Sequence, residues 1–286
     1  MSLTLLFLSF LSLFNACNRE AEKIAVVKSV IKQRHILNEK ISETSGIISY
    51  NGLIWTFNDS GGKPVIYGYN LVNDSIEQMI TLKNAVNKDW EDIAQDDEYI
   101  YVGDIGNNQG TRDSLVIYKL AKAAIPKTGN ASITSEAIVF SYHEYKPVSI
   151  PVGFSSFDCE ALIVIKDSLY LFTKDWNNGN TTIYSLSKKP GKSVSKKINN
   201  LNVKGLITGA DFYNGKLVLI GYSNFIPFII EYTITNLSNL KHENGKRFEL
   251  NEISTYQTEG ICFDGAKILI SSEKTRAPAQ IIELIL

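Results

Sequence analysis

The sequence predicts an all-β protein, a β-propeller of five four-stranded blades whose last blade is closed by an N-terminal strand. Two observations predict it. Short apolar runs flank the turn-forming pairs Asn51-Gly52, Asn214-Gly215 and Asp264-Gly265, a strong local signal for β-hairpins. A three-strand pattern also recurs along the chain, and no segment has the periodicity of a long amphipathic helix.

The repeat aligns as three columns of strands in five copies. The first strands begin at Ser45, Glu91, Glu160, Thr208 and Glu259. The second strands cover 54–59, 99–104, 170–174, 218–222 and 268–273, and the third cover 66–69, 117–120, 183–186, 229–232 and 281–284. Most copies are about 50 residues apart, which is typical of a four-stranded propeller blade.

One spacing is wider, and residues 143–157 are predicted to be an insertion there. Pro147 and Pro151 argue against a central strand in this segment. If the insertion contains strands after all, six blades is the alternative.

Closure of the ring follows from the two ends of the chain. Residues 259–286 leave room for only three strands, whereas residues 23–44 contain a strand-like run that belongs to no copy. A blade shared between the termini would close the ring and cover two exposed sheet edges.

Composition is that of an ordinary globular protein. The 286 residues are 44% hydrophobic and 21% charged, and 29 Lys and Arg balance 30 Asp and Glu for a net charge of −1. A near-neutral chain lacks the positive charge with which proteins bind phosphate backbones, so no nucleic-acid partner is expected. We expect a monomer.

The N-terminus predicts export. Residues 2–14 are uncharged and mostly apolar, a length that suits a signal peptide but is too short to span a bilayer. The segment Phe14-Asn15-Ala16-Cys17 resembles a lipobox, which implies a signal peptide over 1–17 and lipidation of Cys17. A linker over 18–22 and one propeller domain over 23–286 would follow.

The expected location is therefore the cell envelope, lipid-anchored in the outer membrane of a Gram-negative bacterium, with contact to the membrane only through the lipid. A plainly secreted protein and a chance apolar N-terminus are the alternatives. Cys159 and Cys262 lie inside apolar strand patterns and are expected to be buried free thiols.

The propeller topology places the start of each first strand and the end of each second strand at one mouth of the disc. The candidate ligand-binding residues at this mouth are Asp59, Glu91, Asp104, Glu160, Lys174, Tyr222, Glu259 and Glu273, together with Arg276 in a neighbouring loop. Six carboxylates against one lysine need compensation, either from backbone N–H groups or from a hard cation.

Calcium is the candidate cation, because it takes carboxylate, carbonyl and water oxygens as ligands. Its candidate ligands are Glu91, Asp104, Glu160 and Glu259. The leading interpretation of these carboxylates is structural, with each bonded to the turn of the adjacent blade and fixing the ring; a calcium site comes second, and a catalytic role is third.

The motifs Ser45-Gly46-Ile47, residues 55–62, Asp89-Trp90-Glu91-Asp92 and residues 102–108 resemble a group of bacterial envelope propellers. They are similar to the SdiA-regulated and phytase-like (esterase-like) propeller families over roughly residues 41–286. This resemblance implies an exported propeller, but it supplies no agreed catalytic residues.

Two functions remain open at this stage. The first is an envelope propeller that binds a protein, a glycan or a small anionic ligand at the mouth without turning it over and without a required cofactor. The alternative is a calcium-dependent hydrolase, phosphoesterase-like or lactonase-like, in which Lys174 or Arg276 holds the substrate. No catalytic residue is identified, because the sequence has no nucleophile elbow, P-loop or zinc-ligand spacing.

Overall fold

The computed structural model describes residues 30–145 and 155–286. The predicted signal peptide, the lipidation site Cys17, the linker and most of the predicted insertion lie outside the described residues. Within the described part of the chain, no helix is long and apolar enough to cross a membrane. The five helices found there are single 3₁₀ turns at Glu39–Ile41, Lys122–Ala124, Leu237–Asn239, His242–Asn244 and Asn251–Ile253.

The rest of the regular structure is β-strand. In chain order, the strands are β1 (Val30–Ile36), β2 (Thr44–Tyr50), β3 (Leu53–Asn58), β4 (Val65–Asn70), β5 (Ser75–Leu82), β6 (Trp90–Gln95), β7 (Tyr99–Asp104), β8 (Leu115–Ala121), β9 (Ala131–Ile133), β10 (Glu136–Tyr142), β11 (Cys159–Ile165), β12 (Ser168–Thr173), β13 (Thr181–Ser187), β14 (Gly191–Leu201), β15 (Leu206–Tyr213), β16 (Lys216–Ser223), β17 (Ile226–Thr233), β18 (Lys246–Glu249), β19 (Thr258–Asp264), β20 (Lys267–Ser272) and β21 (Gln280–Ile285).

The strands form antiparallel meanders arranged as in a β-propeller. The meanders are β2-β3-β4-β5, β6-β7-β8-β10, β11-β12-β13-β14, β15-β16-β17-β18 and β19-β20-β21-β1. Their innermost strands β2, β6, β11, β15 and β19 contact one another in order, and β19 returns to contact β2. These five are called the innermost strands below.

The N-terminal strand closes the last meander, as the sequence predicts. Strand β1 pairs antiparallel with β21, from Val30 opposite Ile285 to Ile36 opposite Gln280. Because β1 and β21 pair with each other, the backbone N–H and C=O groups on their facing edges are hydrogen-bonded and not exposed.

The outer edges show a feature that the sequence did not predict. Strands β10 and β14 pair in parallel, so that two meanders form one eight-stranded sheet, and the short β9 pairs in parallel with β5. These pairings cover outer strands that would otherwise present unpaired N–H and C=O groups.

The Asn-Gly turns take the geometry that the sequence predicts. Asn51 and Gly52 have φ of 53° and 76°, and Asn214 and Gly215 have φ of 49° and 80°. Positive φ at both central residues matches the twist of the flanking strands.

The hydrophobic core lies between neighbouring sheets. Trp55, Phe57 and Trp90 are fully buried, and the rings of Phe57 and Trp90 meet edge to face at 5.4 Å. Cys159 and Cys262 are buried and free, as expected.

Near the axis, the backbones of neighbouring innermost strands are in close contact. A Cβ added at Gly46 or Gly260 would collide with the backbone of the neighbouring innermost strand. The carboxylate of Asp92, on β6, occupies this crowded centre and accepts backbone hydrogen bonds from Ile93 at 2.8 Å, Leu162 at 2.8 Å and Ala210 at 3.4 Å. Asp92 therefore links β6 to β11 and β15.

We predict that Asp92→Ala destabilises the protein by about 2 to 4 kcal/mol, because it leaves buried N–H donors unsatisfied. Urea denaturation measures this. Asp167→Ala is the matched control, since its side chain is 99% exposed, and it should change stability by less than about 0.5 kcal/mol. Equal stability of the two variants would contradict a structural role for Asp92.

Candidate functional site

The predicted mouth contains a dense group of carboxylates. We call it the acidic mouth and define it as Asp59, Asp89, Glu91, Asp158, Glu160, Glu259 and Glu273, which influence one another electrostatically. Glu91, Asp158, Glu160 and Glu259 are buried, whereas Asp59, Asp89 and Glu273 are partly exposed.

The backbone of every innermost strand is irregular at this level. Register shifts occur at Thr44/Ile47, Trp90/Asp92, Cys159/Ala161, Ile207/Gly209 and Thr258/Ile261. Each shift includes the residue that the sequence places at the mouth, from Ser45 to Glu259. A β-bulge re-aims the side chain that it carries, and bulges are common beside functional sites.

Two of these residues have structural partners. The hydroxyl of Ser45 donates to the carbonyl of Glu91 at 2.6 Å, and that of Thr208 donates to the carbonyl of Thr258 at 2.8 Å. Both bonds join neighbouring innermost strands and so help to hold the ring.

One side of the mouth carries its own cation. The Nζ atom of Lys174 lies 3.0 Å from Oε2 of Glu160, and both side chains are buried. The same Nζ lies 4.9 Å from the ring centroid of Trp176 and 5.6 Å from that of Tyr222. Lys174 is therefore surrounded by negative charge and aromatic rings.

The charge of Lys174 is stable in this position. Burial lowers its pKa, but Glu160 and Glu259 more than offset burial, and the pKa lies well above its usual value. This side of the mouth, which we call the paired side (Glu160, Lys174 and Glu259), already has a counterion.

Asp158 supports the paired side. Its carboxylate accepts hydrogen bonds from the backbone N–H of Asn107 at 2.8 Å and from the indole N–H of Trp176 at 3.2 Å. Its carbonyl accepts from the N–H of Lys174 at 2.7 Å. Asp158 thus fixes two loops next to the ion pair.

Asp104 is engaged in a structural ion pair. Its carboxylate lies 2.6 Å from the guanidinium of Arg112, which also donates to the carbonyl of Gly106 at 2.7 Å. The guanidinium donates as well to the backbone carbonyl of Asp104 at 3.1 Å. Asp104 therefore lies beside the metal candidates but bonds to protein groups.

The opposite side of the mouth is acidic, and its carboxylates have no ion-pair partner within 4.0 Å among the described residues. One oxygen each from Asp59, Asp89 and Glu91 lie within 4.8 Å of one another. A Cβ at Gly106 would collide with the carboxylates of Asp89 and Glu91, so a larger residue there would displace these side chains. We call Asp59, Asp89 and Glu91 the open side.

Burial and mutual repulsion raise the pKa values of these crowded carboxyls. Burial, followed by the charges of Asp89, Glu259 and Glu43, raises the pKa of Asp59 to about 7. Burial raises the pKa of Asp89 to about 6, and burial with Glu259 and Asp59 raises that of Glu273 to about 8. The pKa of Glu91 lies well above its usual value because of burial and the neighbouring Glu160.

Asp59 also has an atom without a partner. Its Oδ1 is enclosed by protein and has no hydrogen-bond donor within the described part of the chain. A buried carboxylate oxygen without a donor is costly when charged, so it either keeps a proton or needs a cation.

The remaining predicted residues lie around this centre. Tyr222 contacts Lys174 through its ring, Glu259 belongs to the paired side, and Glu273 lies near Asp59. Arg276 is exposed in the loop between β20 and β21. Among the described residues it has no ion-pair partner within 4.0 Å.

Sequence reasoning missed Asp89 and Asp158 as members of the mouth. A signal for both was present, since Asp89-Trp90-Glu91 and Asp158-Cys159-Glu160 repeat the same Asp-x-Glu spacing before an innermost strand. It also missed Asp92, whose apolar strand gives no hint that the carboxylate turns toward the axis.

No protein-family model matches this chain, and no curated protein is similar to it in sequence. Solved structures are similar in fold. Glutaminyl cyclase from Myxococcus xanthus has a TM-score of 0.54 at 11% identity, over 90% of this chain and 95% of that chain. The PQQ-bound aldose sugar dehydrogenase from Streptomyces coelicolor has a TM-score of 0.50 at 8% identity, over 90% and 98%.

An exo-β-1,3-galactanase from Phanerochaete chrysosporium has a TM-score of 0.52 at 10% identity, over 90% of this chain and 64% of that chain. At such low identity these likenesses support the β-propeller fold and nothing about activity.

The raised pKa values predict that the cation-free protein loses stability as pH rises from about 5 to 8. Between these pH values, carboxyls with raised pKa values are still protonated in the folded protein but already ionised in the unfolded chain. The stability that this difference provides is therefore lost as the pH rises through the range. Thermal midpoints in EDTA at pH 5, 6, 7 and 8 measure it. Asp59→Asn should flatten the decline and the exposed-site control Glu243→Gln should not; an unchanged slope in Asp59→Asn would refute the assignment.

Proposed function

We propose that the acidic mouth binds a divalent cation, with calcium as the favoured ion, and that the occupied mouth holds a ligand or protein partner. The observation that carries this proposal is the open side. There, three carboxylates approach within 4.8 Å, and Oδ1 of Asp59 has no donor. A cation would supply the missing charge.

The donor set favours a hard ion. Asp59, Asp89 and Glu91 offer only carboxylate oxygens, and Ca²⁺ takes oxygen ligands in flexible numbers with water completing its shell. No histidine or cysteine belongs to this group, so the soft-ligand pattern of zinc or copper is absent from it.

The charge distribution argues against a free anion as the direct ligand. Lys174 is already paired with Glu160, and Arg112 is already paired with Asp104. An anionic group would therefore meet the open side through a bound cation rather than through Lys174 or Arg112.

The architecture that accompanies this function is a five-bladed propeller of the SdiA-regulated or phytase-like type. The cycle of contacts among β2, β6, β11, β15 and β19 supports five blades. The apolar segment and Cys17 support export and lipid anchoring at the cell envelope, with one propeller domain after the linker.

A calcium-dependent hydrolase is the second candidate, favoured by one specific observation. Glu273 has a pKa of about 8 beside the open side, near the range that suits a general acid or base at neutral pH. The cation would polarise the bond to be cleaved, while Glu273 would exchange a proton with water.

We predict that millimolar CaCl₂ raises the thermal midpoint of the protein at pH 7.5 by several degrees relative to EDTA. A ligand at 100 times its Kd stabilises the fold by about 2.7 kcal/mol. Asp89→Asn and Glu91→Gln should remove most of the shift, because each removes a carboxylate ligand.

Glu39→Gln is the matched control, since Glu39 is an exposed carboxylate paired with Lys274. The control should keep the full calcium shift. A shift that survives in both open-side variants, or no shift in the unmodified protein, would contradict calcium binding at this site.

The hydrolase hypothesis is tested with a phosphomonoester and a lactone in calcium. If the mouth is catalytic, Glu273→Gln should lower kcat by about 100-fold or more while leaving calcium binding measurable, because it removes the proton-transfer group and keeps the three carboxylates of the open side. If neither substrate is turned over, or if the variant turns it over at the same rate, the hydrolase hypothesis is refuted and the binding function remains.

A further inference from the structure

The opposite end of the axis contains a second cavity, of about 480 Å³. We propose that it binds a non-acidic carbohydrate. This turn-side cavity lies among the turns that join innermost and second strands, at the other face from the acidic mouth, and the inference does not rest on the calcium proposal. Its lining includes Tyr50, Asn51, Gln95, Asp97, Tyr213, Asn214 and Phe263.

The hairpin turns hold this cavity in shape. Asn51 and Asn214 sit at positive φ in the tight turns after β2 and β15, and Ser49 at the end of β2 donates to the carboxylate of Asp264 at 2.7 Å. The amide of Gln95 donates to the carbonyl of Ser49 at 2.8 Å, which joins the β2 and β6 turns. A wall built from short turns on a rigid sheet is largely preformed for a small ligand.

Aromatic rings provide an apolar surface in the wall. Tyr213 is 58% exposed, and its ring lies 6.0 Å from that of Phe263 with an angle of 42° between the planes. The two rings support each other and leave much of Tyr213 in solvent. A sugar ring stacks its C–H face on such a surface, because a tyrosine combines an apolar face with a polar tip.

The polar groups of the wall divide into two sets. Asp211 accepts from the backbone N–H groups of Phe212 and Phe263, and Lys122 donates to the carbonyl of Asp96, so these serve the fold. In contrast, the side chains of Asn51, Asp97 and Asn214 have no hydrogen-bond partner in the described part of the chain.

The side chains of Asn51, Asp97 and Asn214 are suited to hydrogen-bond with hydroxyl groups. Two amides and a carboxylate offer both donors and acceptors, which a polyhydroxylated ligand satisfies and an apolar one does not. The one lysine of the wall is held over the ring of Tyr50 at 4.5 Å and is outnumbered by Asp96, Asp97 and Asp211. An acidic sugar would be repelled, so the ligand is a neutral or amino sugar.

The test is calorimetric titration of the full chain with three probes: cellotriose, triacetylchitotriose and trigalacturonate. We expect at least one neutral trisaccharide to bind with a Kd below about 1 mM, and trigalacturonate to bind at least about tenfold more weakly. Tyr213→Ala should weaken the neutral sugar about tenfold, whereas Tyr213→Phe should keep it within about threefold because the stacking face remains.

Phe225→Ala is the matched control, because Phe225 is an aromatic residue that is 78% exposed in the β16–β17 loop on the face of the acidic mouth. It should bind the sugar as the unmodified protein does. The proposal is overturned if no neutral probe binds, if trigalacturonate binds equally well, or if Tyr213→Ala binds unchanged. Thermal midpoints equal to that of the unmodified protein show that Tyr213→Ala remains folded.

Discussion

The carboxylate of Asp92 holds three innermost strands together at the axis, and the geometry of the mouth depends on this contact. Its bonds to the N–H groups of Leu162 and Ala210 connect β6 with β11 and β15. Because Glu91 is the preceding residue, the same bulge that turns Asp92 toward the axis presents Glu91 to the acidic mouth. Ring geometry and site geometry therefore arise from adjacent residues on one strand.

The acidic mouth balances its charge in two different ways. On the paired side, Lys174 neutralises Glu160 inside a shell of aromatic rings. On the open side, Asp59 and its neighbours form no ion pair within the described part of the chain, and their pKa values rise instead. Buried charges require either a partner or a proton, and the two sides of this mouth use one solution each.

Two faces of the disc thus differ in chemistry. One presents carboxylates at the start of the innermost strands, and the other presents Tyr213 with turn amides around a cavity. Both sets of side chains belong to turns or bulges on a rigid sheet. Residues at such positions can differ between proteins of the same fold without altering the hydrophobic core. The solved propellers that resemble this chain share its scaffold and differ from it at nearly nine residues in ten or more.

The sequence by itself determined the strand repeats, the hairpin turns and the closing strand, since these follow from local periodicity and turn chemistry within each copy. It also placed Glu91, Glu160 and Lys174 at one mouth through the order of the strands. Only the tertiary structure decided which carboxylates pair and which remain open. Asp104 meets Arg112 through the conformation of the loop after β7, and Asp59 meets Asp89 because loops from neighbouring copies converge. The distances in these contacts depend on loop conformation and on packing between copies, and no local strand or turn pattern encodes them.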